Sequence, residues 1–411
     1  MNIINVILVL LFIQISQQDE YHAIYLQTSG STIDNVKLSS SALYGVTESN
    51  NVVKITNEGT YVLSGTYTGQ VYVALSSNAQ ATLVLSGVSI TNGNGPGILF
   101  TGGKEIDSSS NSISVSKANS LDFSNAGAKI IIADDTTNYV NAGSTSNYDG
   151  AVYSVCSMKI SGETKSNGVL TIVASSEGLD TEKHLLIEGG VINISAQDDG
   201  INVNQDSVSA CIINGGKVLI NAGLGREGDG IDSNGIIVIN GGEVYSASNP
   251  GADSGLDSNN GLFINGGKVV GVGSSMDGAD SGCEQPSMNL IFSSSIQATS
   301  VLTVKDTSGN ELISFSPSTA GFVSGTTLHY YGAATVSHPD FKLNTVYYLY
   351  LDGAQVGYTG NQQQGPGGGG WGGGGNWGGH GGGGSSSSGT MKTDFVFTSN
   401  MMYFSGIAKS S

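Results

Sequence analysis

Four copies of one short phrase decide the fold: Ile187-Glu188-Gly189-Gly190-Val191-Ile192, Ile213-Asn214-Gly215-Gly216-Lys217-Val218, Ile239-Asn240-Gly241-Gly242-Glu243-Val244 and Ile264-Asn265-Gly266-Gly267-Lys268-Val269. Counted from Gly190, they recur after 26, 26 and 25 residues. A second phrase precedes each one: Glu177-Gly178-Leu179-Asp180, Asp199-Gly200-Ile201-Asn202, Asp229-Gly230-Ile231-Asp232 and Ser254-Gly255-Leu256-Asp257. Each unit has room for two or three strands of a few residues, such as Gly235 to Asn240 and Glu243 to Ser246. No helical segment fits between them, which excludes leucine-rich repeats and βαβ units, and propeller blades need about 40 residues or more. The period therefore predicts an all-β chain folded as a parallel β-helix, a solenoid whose coils pair backbone to backbone around inward columns of Ile, Val and Leu. Asn214, Asn240 and Asn265 share one register before Gly-Gly, where stacked amides hydrogen-bond along the ladder in a structural role.

Outward from the repeats, Val52 to Ile55, Gly59 to Gly65, Val71 to Val73, Thr82 to Leu85 and Lys129 to Ile132 read as strands of less regular coils. Beyond Gln285 the pattern changes. Leu302-Thr303-Val304 and Glu311 to Phe315 flank the turn Asp306-Thr307-Ser308-Gly309, which predicts an antiparallel β cap. The chain divides into a signal peptide at 1–18, a lead-in at 19–50, the parallel β-helix at 51–287 and the C-terminal antiparallel module at 288–360. A Gly/Ser-rich loop carrying Trp371 and Trp377 follows at 361–390, then a terminal strand and tail at 391–411.

The apolar run Ile3 to Ile15 suits the core of a signal peptide and is shorter than the roughly 20 residues a membrane span needs. A secreted, soluble and monomeric protein is expected, with no membrane insertion. Gly is too frequent, at 62 residues, for long helices. The net charge is −18 with a single arginine, Arg226, so nucleic acid is excluded as a partner and cations are favoured. Cys156, Cys211 and Cys283 leave two readings open, one bridge with a free thiol or three buried thiols.

The chemistry lies in the second phrase. In stacked coils Asp180, Asn202, Asp232 and Asp257 form a column with a spacing of about 4.8 Å. Carboxylates that close repel by about 1 kcal/mol in water and about 4 kcal/mol at an effective dielectric of 20. Ca²⁺, with oxygen ligands at about 2.3–2.6 Å, reverses the sign of that interaction. Glu177, Asp199 and Asp229, three residues ahead, together with Asp198 and Asp253, are placed to complete its shell. Two enzyme readings compete with simple binding. A lyase would use Ca²⁺ to acidify a uronate proton, with Arg226, Lys183 or Lys217 as base. A hydrolase would pair Asp198-Asp199 with Asp229 as acid and base. His184 lies beside an apolar run without a partner in the sequence.

Taken together, these stretches resemble the carbohydrate-binding domain family typified by a clostridial polysaccharide-lyase-like β-helix protein. The resemblance runs from about Val52 to Gly360. It includes Gly59 to Gly65, Ile132-Ala133-Asp134-Asp135-Thr136-Thr137-Asn138, Asp199-Gly200-Ile201-Asn202, Gly228-Asp229-Gly230-Ile231-Asp232, Thr345 to Tyr350 and the Gly-rich tail. It implies a right-handed β-helix with calcium on its flank and a polysaccharide partner, acidic or cellulose-like, without catalysis. By motif the calcium roles fall on Asp199, Asp229, Asp232 and Asp257, alongside Asp180 and Asn202 from the column. The chain departs from the pattern at Asn202 and Ser254, and it lacks the His and Arg-x-Lys motifs of polygalacturonase-like β-helices. Arg226, Tyr245 and Phe263 are the candidate sugar contacts. A matrix stalk with calcium only as a staple is the structural alternative.

Overall fold

The computed structural model describes residues 21–38, 41–251, 253–274, 277–319, 330–362 and 390–410. The expected signal segment, Trp371 and Trp377 lie outside the described residues. The described chain is all-β with almost no helix, its strands pair mostly in parallel, and the sheets do not close into a barrel.

Each repeat contributes three strands, one to each of three ladders. The unit around Asn202 shows the plan: Ile201–Val203, Ala210–Ile213 and Lys217–Asn221. In the first ladder Ile201 pairs with Leu179 and Ile231. In the second, Ile212 pairs with Leu186 and Val238. In the third, Ile220 pairs with Ile194 and Ser246. Every partner lies one repeat away in the same phase, so apolar side chains mostly stack on apolar ones. Ile160, Ile187, Ile213, Ile239 and Ile264 make one such column, and none exposes any surface. Each buried aliphatic side chain contributes about 1.5–3 kcal/mol, and the column repeats that gain coil by coil.

The Gly-Gly phrase makes the corner between the second and third ladders. Gly190, Gly216, Gly242 and Gly267 sit at φ of +84°, +83°, +84° and +86°, a left-handed region closed to most side chains. Beside them the amide ladder is present: Asn240 Nδ2 donates to Asn214 Oδ1, and Asn265 Nδ2 to Asn240 Oδ1, both at 2.9 Å.

The stack begins earlier than the expected lead-in allows. Tyr21–Gln27 pairs in parallel with Gly59–Thr68, so part of 19–50 belongs to the stack itself. Val46–Ser49 folds back antiparallel on Val52–Ile55 and covers that edge. At the other end Tyr331–Ser337 pairs antiparallel with both Lys268–Gly273 and Ser287–Ile296, which joins the cap to the last coil. The expected hairpin Leu302–Asp306 and Glu311–Phe315 is present. Met401–Lys409 lies parallel to Ser287–Ile296, so the terminal segment is a member of the cap.

One excursion has no counterpart in the repeat reading. Residues 102–126 leave the stack, form the short helix Val115–Ala118, and lay Ile113, Ala118 and Phe123 on Leu186, Ile212 and Val238. Cys156, Cys211 and Cys283 are three buried thiols, which selects the second of the two readings. Among the described residues no helix is long and apolar enough to cross a membrane.

A candidate metal-binding flank

The acid column stands in the register its spacing predicts. Asp180 pairs with Asn202, Asn202 with Asp232, and Asp232 with Asp257 along the first ladder. Toward the N-terminus the same column continues through Tyr153, Leu99, Tyr72 and Lys54. Leu179, Ile201, Ile231 and Leu256, one residue earlier, point into the core and fix which way the acids face. The residues three positions ahead reach the same side. Asn202 Nδ2 donates to Glu177 Oε1 at 2.7 Å, and Asn204 Nδ2 donates to Asp180 Oδ1 at 2.9 Å. Asp149, from the loop before Gly150–Ser154, completes the group: carboxylate oxygens of Asp149, Glu177 and Asp180 all lie within 4.8 Å of one another.

Among the described residues, three oxygens in this group are buried without a hydrogen-bond partner: Glu177 Oε2, Asp180 Oδ2 and Asn202 Oδ1. Asp180 exposes no surface at all. A buried, unpaired carboxylate costs several kcal/mol, so its charge is either neutralised by a proton or met by a cation. The donor set is oxygen only, which is the chemistry of a hard cation. Asn202 fits that set, because its amide nitrogen is spent on Glu177 and its oxygen is left over.

Electrostatics run the same way along the flank. Burial, then Glu177 and Asp149, pushes the Asp180 carboxyl far above the usual carboxylate range. Burial also raises Glu177, against the hydrogen bond that Asn202 donates to it. Asp199 is pushed up to about 8 by burial and then Asp232, and Asp232 to about 6 by burial, Glu177 and Asp277. Asp229 is raised by burial and Asp257, and Asp277 by burial and its hydrogen bond to Asp257. Backbone donors pin part of this array: Asp229 N donates to Asp199 Oδ1 at 2.7 Å, and Gly228 N to Asp253 Oδ2 at 3.0 Å.

None of the side chains considered as a base forms an ion pair with these acids. Arg226 is exposed and in no ion pair among the described residues, and its carbonyl accepts from Asn249 Nδ2 at 3.3 Å. Lys183 Nζ donates to the Asp107 carbonyl at 3.4 Å, and Lys217 pairs with Glu243 at 3.5 Å. His184 is fully buried 3.9 Å from Asp107, on the face covered by the excursion, and burial lowers its pKa to about 4.

Tyr245 and Phe263 do not form a common strip. Tyr245, 8% exposed, lies under the cap, stacked on Phe315 with ring centroids 5.7 Å apart. Phe263, half-buried, packs instead against the cluster that the excursion forms with Leu186, Ile212 and Val238. Tyr245 is covered, and Phe263 partly so, by segments that no repeat pattern announces. Conversely, the repeat reading passed over Asp149 and Asp277. Each precedes a glycine, in Asp149-Gly150 and Asp277-Gly278, the same dipeptide that marks Asp199 and Asp229.

Stacked parallel strands bearing a buried, oxygen-only acid cluster define the class: an all-β repeat protein. The chain belongs to the family of carbohydrate-binding domain-containing proteins, which matches residues 49–117 and 107–310. A carbohydrate-binding domain-containing protein of Acetivibrio thermocellus is 32% identical over 166 residues, 40% of this chain. The match spans 51% of that relative, about half its length. Among solved structures, the gadolinium derivative of the polysaccharide lyase-like protein from C. thermocellum is similar over 60% of this chain and 93% of its own. The identity is 23% and the TM-score 0.41.

Proposed function

We propose that this protein is an exported, calcium-binding, non-catalytic module that holds polysaccharide, acting as a monomer built on a right-handed parallel β-helix. The observation that carries the calcium reading is the set of buried, unpartnered oxygens of Glu177, Asp180 and Asn202 beside Asp149. Asp149, Glu177, Asp180 and Asn202 would hold one ion, and Asp199, Asp229, Asp232, Asp257 and Asp277 continue the acid surface along the flank. When bound, calcium supplies the positive charge that this acid array lacks. Family membership supports a polysaccharide partner. Handedness follows from the strong preference of parallel crossover connections for the right-handed sense.

The non-catalytic reading rests on where the cations are. Lyase chemistry needs a base beside the acidified proton, and Arg226, Lys183 and Lys217 pair with none of the acids. The test is a pull-down on polygalacturonate and on cellulose, with calcium and with EDTA, with product assayed in parallel. Retention without unsaturated or reducing ends is the expected result. Release of unsaturated uronate would replace this reading with the lyase, and no retention on either glycan would leave the structural stalk.

A further inference from the structure

The acid flank has a neutral neighbour. At one corner of the N-terminal coils, Asn50-Asn51, Thr68-Gly69 and the turn from Thr91 to Pro96 stack in successive layers. Gln70 N donates to Asn51 O, and Gly69 N to Thr91 O, both at 2.9 Å. Asn50 and Asn51 are both left-handed, at φ of 51° and 59°, and form the two-residue turn between Val46–Ser49 and Val52–Ile55. At Gly69 a Cβ would lie 2.0 Å from Asn51 O, so this part of the floor is bare backbone. The loop Thr145 to Tyr148, closed by Thr145 N on Tyr148 O at 2.8 Å, forms the far wall.

Between these walls lies a groove of about 570 Å³. In a chain of net charge −18 it is lined, among the described residues, by no Asp, Glu, Lys or Arg; amides, hydroxyls and glycines dominate, with Val52, Pro96, Leu99 and Tyr148 as apolar lining. Its volume falls within the range of roughly 300–1,000 Å³ typical of small-ligand sites. The side-chain amides of Asn50, Asn94 and Asn147 make no hydrogen bond within the protein among the described residues, so their donors and acceptors remain open. Tyr148 is held edge-on by Tyr153, ring centroids 5.1 Å apart, and Tyr153 pairs directly with Asp180. Asp149 of the acid cluster is the next residue after Tyr148.

We propose that this groove is the sugar-binding site and that it takes an uncharged polysaccharide chain, with Tyr148 packing on a sugar ring and Asn50, Asn94 and Asn147 bonding its hydroxyls. The proposal rests on the polysaccharide reading above and separates it from calcium. An aromatic face supplies apolar contact without charge, and open amides match vicinal hydroxyls. A polyuronate would bring carboxylates to a groove with no cation to receive them.

The test is isothermal titration of the full chain with cellohexaose and with hexagalacturonate, each in calcium and in EDTA. Cellohexaose should bind in both buffers, and Tyr148→Ala and Asn94→Ala should each weaken it at least fivefold. Asn94 is exposed, so Asn94→Ala should keep the wild-type melting temperature and calcium affinity, which separates loss of contact from loss of fold. Wild-type affinity for cellohexaose in both variants would overturn the groove while leaving the polysaccharide reading intact. Binding of hexagalacturonate alone, and only with calcium, would overturn the neutral ligand and move the site to the acid flank. Failure of the wild type to bind either sugar would sink the polysaccharide reading, and this proposal with it.

Discussion

Asp180 concentrates the problem this molecule has to solve. It is fully buried, faces Glu177 and Asp149, and keeps one oxygen without a partner. In Asp180→Asn the acceptor for Asn204 survives, while the buried charge does not. Without calcium the variant should therefore be the more stable protein, by about 2–4 °C for each kcal/mol relieved. With calcium the order should reverse, because the ion loses a carboxylate ligand and its affinity falls at least tenfold. Thermal melts of both proteins in EDTA and in excess calcium check this; parallel shifts of the two proteins in both buffers would count against a shared ion. Asp149 and Asp277 escaped the repeat reading for a local reason. They lie outside the regular coil, where no Gly-Gly phrase sets the register, and only the Asp-Gly dipeptide signals them.

At the scale of the element, the corner is held by glycine and the edge by the amide ladder. Gly242→Ala would put a Cβ 2.7 Å from Gly216 O at φ +84°. The left-handed conformation alone costs about 1–2 kcal/mol, and the contact adds to it, so a drop of several degrees in melting temperature is expected. Asn240→Ala removes donation to Asn214 and Asn119 and acceptance from Asn265, and about 1–2 kcal/mol of stability should go with these partly exposed bonds. Calcium affinity should not change in either variant, since the ladder lies on another corner. These elements were legible in the sequence because each coil repeats them in phase: Leu179, Ile201, Ile231 and Leu256 announce the inward column, and Asp180 to Asp257 the outward one. The excursion at 102–126 and the fold-back of the cap were not. They obey no period, and they cover Tyr245 and part of Phe263, which the repeats alone would leave exposed.

For the whole molecule, the raised carboxyls set the pH response. A carboxyl whose folded pKa lies above its unfolded value holds its proton more tightly in the folded state, so its contribution to stability is lost as pH rises through the folded value. Asp232 and Asp199, at about 6 and 8 against an ordinary 3.8, place that loss between about pH 4 and 8 in the calcium-free protein. His184 acts in the opposite sense. Its folded value of about 4 lies below its ordinary 6.5, so it removes stability as pH falls through that window and is silent above it. From pH 6.5 to 8 the acids therefore act alone, and the melting temperature in EDTA should fall. Saturating calcium should flatten that slope, because the ion takes the place of the protons. A melting temperature in EDTA that rises over this range would contradict the assignment of the buried acids.

The central claim is that the flank built from Asp149, Glu177, Asp180 and Asn202 is a calcium site. Isothermal titration of the metal-stripped full chain with Ca²⁺, beside Asp180→Asn, tests it most directly. The account predicts saturable binding to the wild type and affinity at least tenfold weaker in the variant. No saturable binding to the wild type, or the same affinity in both proteins, would contradict it.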